Sequence, residues 1–272
     1  MKICLVIAKV TFKEIIRQPL FYIIICSGML LLLIASYLTL FTFGEEGMLI
    51  KDMGITTITL TGLIIVIFYA ANSFSAESKK AAVATVLCKA VNKSTFIIGK
   101  FLGTVLTLFL IYLILVSIFT FINSLYYNSD IPKEHVFSFK NVIDSVDCSF
   151  LLSVYFSFLQ VLILAAISFL LSVSISSVSN ISICFTIYVL GHLSDYFYTY
   201  IEKSKGFILW LSKIIFILVP NLQVFDLGGV KLNSLQNYDL FSYLILVSFY
   251  TICYCSIMIL FAILFFQKRD ML

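Results

Sequence analysis

The sequence predicts an all-α polytopic membrane protein with six transmembrane helices, on three observations. Of its 272 residues, 61% are hydrophobic and 12% charged, where soluble domains carry about 45–50% apolar and about 25% charged residues. Five stretches free of Asp, Glu, Lys and Arg are long enough to cover a bilayer core, which is about 30 Å thick and takes about 20 residues. The basic residues gather on one side of the resulting path. The mean hydropathy of +1.10 leaves room for one membrane domain over 1–272 and for no large soluble one.

The elements follow in chain order. Residues 1–18 read as an interfacial helix: Lys2, Lys9, Lys13 and Arg17 recur at helical spacing among Ile, Leu, Val and Phe, which aligns them as one stripe. Such a helix lies along the inner leaflet and contacts anionic lipid, at about 1 kcal/mol per basic residue. Pro19 then suits the first turn of the next helix. The spans are expected at about 20–43, 55–76, 101–123, 149–174, 181–198 and 240–266. The fourth and fifth share one charge-free stretch, divided at Leu171-Ser-Val-Ser-Ile-Ser-Ser-Val-Ser-Asn180, a polar patch expected to turn at a membrane surface. Between the last two spans, Gly206–Val219 is apolar, interrupted by Lys213 and too short to cross, so a re-entrant or interfacial external helix ending at Pro220 is expected. The first apolar run exceeds the h-region of a cleavable signal peptide, so it is read as span one.

Six spans put both termini on one side, and basic residues choose the side. Eleven of the 18 fall with the termini: Lys2, Lys9, Lys13, Arg17, Lys79, Lys80, Lys89, Lys93, Lys100, Lys268 and Arg269. The termini are therefore expected in the cytoplasm and the chain in the cell membrane. A net charge of +4 is too small and scattered for nucleic acid. The seven cysteines form no Cys-x-x-Cys pair and read as small buried hydrophobes, with no metal role.

Chemistry-bearing motifs are lacking. There is no His-Glu-x-x-His, Gly-x-Ser-x-Gly or Gly-x-Gly-x-x-Gly, and Gly99-Lys100 is followed by Phe101 and has no glycine five residues earlier, so it is no phosphate-binding loop. No catalytic residue and no cofactor is expected in this chain, and any nucleotide hydrolysis would belong to another subunit. Gly99 and Gly103 form a small-x-x-x-small pair, read as a packing feature. The ionisable candidates at membrane depth are His192 and Asp195, three residues apart on one helical face. A mid-bilayer Asp costs about 2.5–3.5 kcal/mol. At 1.5 Å per residue from Asn180, however, Asp195 lies about 22 Å along the span, near the outer surface. A substrate-pathway role and a structural role both stay open for the pair.

The densest polar segment runs from Glu77 to Gly103. Ser78 to Cys88 reads as a short helix, Lys89–Lys93 as a turn, and Ser94 as the cap of the helix returning to the membrane. An exposed, mainly apolar helix on a cytoplasmic loop needs a partner outside its own chain.

Here the chain resembles the permease subunits of ABC-2 type transporters, the six-span partners of separate ATPase subunits. The resemblance covers most of the chain. It rests on the basic N-terminal helix with Phe12-Lys13-Glu14 and Arg17, on Ile50-Lys51-Asp52-Met53-Gly54 before span two, and on Glu77, Thr85, Leu87, Lys89, Phe96, Gly99, Lys100 and Phe101. Cys88 and Ala90 stand where the family more often has Ser and Pro. Gly191-His192, Pro220-Asn221-Leu222 and Phe225-Asp226 are similar to further family elements. The resemblance implies a coupling helix contacting an ATPase subunit through Glu77, Lys79, Lys80, Thr85, Leu87 and Lys89. It further implies ATP and Mg bound by that partner, a second permease copy as homodimer or heterodimer, and transport, in the direction of export. The competing expectations are a non-transporting scaffold that docks a cytoplasmic partner through the same loop, and an intramembrane enzyme, for which no nucleophile and base can be named.

Overall fold

The computed structural model describes residues 2–38, 46–78, 93–130, 148–194, 219–226 and 240–268, and among these every regular element is helical. In order they are α1 (Lys2–Arg17), α2 (Pro19–Leu38), α3 (Glu46–Ser78), α4 (Lys93–Asp130), α5 (Cys148–Ser174), α6 (Ser177–His192), a short 3-10 turn (Gln223–Phe225) and α7 (Leu240–Lys268). Four of them carry membrane-crossing segments, Ile50–Ser73, Lys93–Asn123, Ser149–Ser174 and Phe241–Gln267. A fifth exists if α1 and α2, bent by 66°, form one broken span.

Helix α5 lies at the centre, packed along α3 on one side and α7 on another. In α5, 78% of the most apolar stretch is buried, against 22% in α7. The two helices are about equally apolar, so composition does not distinguish them, and packing does. Helix α7 turns Phe241, Ile245, Phe249, Ile252, Leu260 and Leu264 outward. Comparable rows on α2 and α4 make an apolar surface that water would not tolerate and lipid does. In the core, Phe156, Ile163, Leu164 and Phe169 of α5 are fully enclosed with Ile58 and Leu63 of α3 and Leu108, Ile111 and Leu115 of α4. Each large side chain buried this way contributes about 1.5–3 kcal/mol in water-based bookkeeping. In lipid the same close fit acts through dispersion and small-residue contact instead.

The predicted elements are found with different limits. The polar patch does break the chain, at Ile175-Ser176 between α5 and α6, yet Asn180, expected at a surface, is fully buried within α6. Helix α4 is helical from Lys93, so Ser94 sits in its first turn rather than capping it, and its membrane-capable segment, Lys93–Asn123, ends where the third span was expected to end but starts before the expected 101. The reason is Lys100, which ends a charge-free stretch but not the helix: it is 4% exposed, its ammonium donates to Ser73 O at 2.9 Å and lies 5.0 Å from the Phe96 ring centroid. A cation satisfied this way stays inside the fold, whereas the sequence places it among the solvated cytoplasmic charges.

Helix α1 packs against the start of α4 through Ala8, Thr11 and Ile15. This contact explains the glycine pair. A Cβ at Gly99 would stand 2.9 Å from Ile7 Cβ, and one at Gly103 would stand 2.6 Å from Thr11 Cβ and 2.8 Å from Ala8 O. The small residues admit the N-terminal helix, not another span. Lys2, Lys9, Lys13 and Arg17 are exposed, on the face opposite the buried one by helical geometry. Among the cysteines, Cys184 is buried as expected, but Cys26 is exposed and Cys4, Cys253 and Cys255 are intermediate; all five are free thiols.

Candidate functional site

Two helices carry polar residues in the same register. On α3 these are Asp52, Thr56 and Thr59; on α5 they are Ser153, Ser157 and Gln160. Spacing of four then three places each set on one helical face, and because α3 and α5 pack along each other the two faces meet. Between them lies a cavity of about 410 Å3, closed by Tyr188 and His192 of α6 and by Phe225 and Asp226 after α6. From Ser149 to Gln160 is about 17 Å of helix, so the cavity runs from Asp52 and Asp226, both exposed, to about half the depth of a 30 Å core.

The hydroxyls are held by their own helices. Thr56 Oγ1 donates to Asp52 O at 2.7 Å, Thr59 Oγ1 to Ile55 O at 2.7 Å, Ser153 Oγ to Ser149 O at 3.0 Å, and Ser157 Oγ to Val154 O at 2.9 Å. Gln160, 4% exposed, meets His192 side chain to side chain, 3.2 Å between its Nε2 and the imidazole Nε2. Tyr188 stacks obliquely on that ring, centroids 4.6 Å apart. Behind Thr59 and Ser157 sits Tyr112, whose enclosed hydroxyl faces both side chains. Asp226 is near enough to Asp52, Tyr188 and His192 to act on each electrostatically.

One end of the cavity is built by an approach that only glycine permits. A Cβ at Gly191 would meet Leu222 side-chain carbons at 2.6 and 2.7 Å and Pro220 O at 3.0 Å, and Leu222 N–H donates to Gly191 O at 3.3 Å. Ser194 Oγ donates to Asn221 Oδ1 at 2.9 Å, an oxygen that also accepts from Gln223 N–H at 3.0 Å. Tyr243 OH donates to Val224 O at 2.7 Å. Residues 219–226 are thereby pinned to α6 and α7, and Phe225 and Asp226 line the same cavity as His192.

Of the residues singled out from sequence, His192 belongs to this site. Among the described residues its acidic companions are Asp52 and Asp226; the expected Asp195 lies outside the described residues. So do Lys79, Lys80, Thr85, Leu87 and Lys89. Glu77 is in the last turn of α3, with its side chain outside the description. Gly191-His192 and Pro220-Asn221-Leu222, far apart in the chain, are direct neighbours. Sequence reading missed Thr56, Thr59, Ser153, Ser157 and Gln160. The matched four-three spacing of polar residues in two otherwise apolar spans was the signal that would have found them.

No three His, Cys, Asp or Glu side chains among the described residues are placed to hold a metal ion. Long apolar helices, outward-facing hydrophobic rows and a polar cavity enclosed among them define an all-α membrane protein. The sequence matches no family model and no curated protein.

Proposed function

We propose that the chain is the permease subunit of an ATP-driven ABC transporter, in the direction of export, working with a second permease copy and separate ATPase subunits. The observation that carries this reading is the polar cavity reaching half-way into a membrane domain. Oxygens that face a shared cavity at that depth suit a solute that crosses, and a docking scaffold has no use for them. With six spans and cytoplasmic termini, as the basic residues favour, Asp52, His192 and Asp226 face outward, where an exporter releases its cargo. The chain carries no hydrolytic motif of its own, so the energy comes from a partner gripping the segment between α3 and α4. Lys100, bonded to Ser73 O, joins the two helices that flank that segment, so a push on it moves both.

Affinity capture of the tagged chain from its own membrane is expected to bring down an ATPase whose turnover rises in the presence of the chain. Reversing charge with Glu77→Lys and Lys89→Glu is expected to lower that stimulation by about tenfold while membrane insertion, scored by protease protection, is unchanged. An ATPase that binds but is not stimulated would turn the assignment to the scaffold, and full stimulation in the reversed variants would remove the coupling role of this loop.

A further inference from the structure

We infer that the cavity between α3, α5 and α6 takes an organic cation, a ligand bearing an amidinium, guanidinium or primary ammonium group. That this ligand is cargo rests on the permease reading; that it is a cation rests on the chemistry of the walls. A hydroxyl has one proton and two lone pairs. Thr56, Thr59, Ser153 and Ser157 each spend the proton on a carbonyl of their own helix, so toward the cavity they offer lone pairs only. Asp52 and Asp226 add carboxylate oxygens at the mouth, and no lysine or arginine stands among the lining residues. Gln160, Tyr188 and His192 also carry protons, but acceptors outnumber donors along the lining and its formal charge is negative, so the walls favour a ligand with donors and positive charge. Tyr188 and Phe225 line the same space, and aromatic side chains are compatible with a cation.

Size narrows the class. About 410 Å3 is in the range of small-molecule sites, about 300–1,000 Å3, and far exceeds a bare metal ion, for which the described side chains form no ligand set. Depth supports a ligand over bulk water: Gln160 and Ser157, each 4% exposed, form the floor. A planar forked donor reaches several such acceptors at once, which a single ammonium does only by rotation.

The test is a matched series, benzamidine, benzamide and benzoate, titrated onto the full chain in phosphatidylglycerol nanodiscs. These three share shape and differ in charge. Benzamidine, a cation at neutral pH, is expected to bind, benzamide at least about tenfold more weakly, and benzoate not at all. The Asp52→Asn, Asp226→Asn double variant is expected to lose at least about tenfold in benzamidine affinity. Thr59→Val, which keeps the branched shape and removes the hydroxyl with its bond to Ile55 O, should lose a few fold with its unfolding midpoint little changed. Phosphatidylethanolamine added to the discs separates two sources of the same group: competition identifies a lipid ammonium headgroup, and its absence a soluble amine. Equal binding of benzamide, tighter binding of benzoate, no binding of any probe, or undiminished benzamidine binding in the double variant would overturn the inference. The readout needs no ATPase. Charge-blind binding with ATPase stimulation intact sinks this inference alone, and charge-selective binding without stimulation sinks the permease reading alone.

Discussion

The two ends of the helical core use the same kinds of polar side chain to opposite effect. At the α5–α6 turn, Asn180 donates to Ser168 O at 2.9 Å while its oxygen accepts from Cys184 Sγ at 3.3 Å and from Ser168 Oγ at 3.5 Å, all three residues being fully buried. Nearby in depth, Lys100 closes on Ser73. At the other end, Thr56, Thr59, Ser153 and Ser157 turn their protons back to their own helices and leave oxygens facing space. Polar groups that bond across helices are fasteners, whereas groups bonded within a helix remain available to a third party. Where the proton goes, more than how many polar atoms are present, separates a clamp from a binding wall.

That contrast can be broken in three places, in descending order of effect. Gly191→Val puts carbon where Leu222 and Pro220 O already stand. It is expected to cost about 2–3 kcal/mol, read as a lower midpoint in denaturing-detergent titration. It also swings Asp226 from the cavity, so benzamidine affinity should fall with it. Asn180→Ala strips the clamp of its central member and its bonds to Ser168; about 1–2 kcal/mol is expected, with benzamidine affinity preserved because the cavity is at the other end. Thr59→Val removes a hydroxyl that bonds Ile55 O of its own helix and should alter the midpoint by less than about 0.5 kcal/mol. A Thr59→Val cost equal to that of Asn180→Ala would erase the distinction between clamp and wall.

Much of the helical frame was legible in the residues. Charge-free stretches located α5 and α7 almost to their ends, and the Ser-rich run ending at Asn180 marked the break between α5 and α6. The basic stripe of α1 emerged on an exposed face. The errors share one cause. A search that stops at charge started the third span at 101, although the helix was expected from Ser94, because a charge satisfied by a carbonyl and a ring does not behave as a solvated one. The same search sought function in ionisable residues and found His192, but passed over threonines and serines, which carry no charge and cost little to bury when they bond their own helix.

The sequence by itself determined that this is a helical membrane protein, roughly where its helices run, and that it has no hydrolytic motif, because transfer from water to lipid adds up residue by residue along the chain. Only the tertiary structure decided which faces meet: Asp52, Thr56 and Thr59 against Ser153, Ser157 and Gln160, α1 against Gly99 and Gly103, and Pro220 and Leu222 against Gly191. A lipid tail and a neighbouring helix are equally apolar, so hydropathy cannot choose between them; shape and hydrogen bonding do.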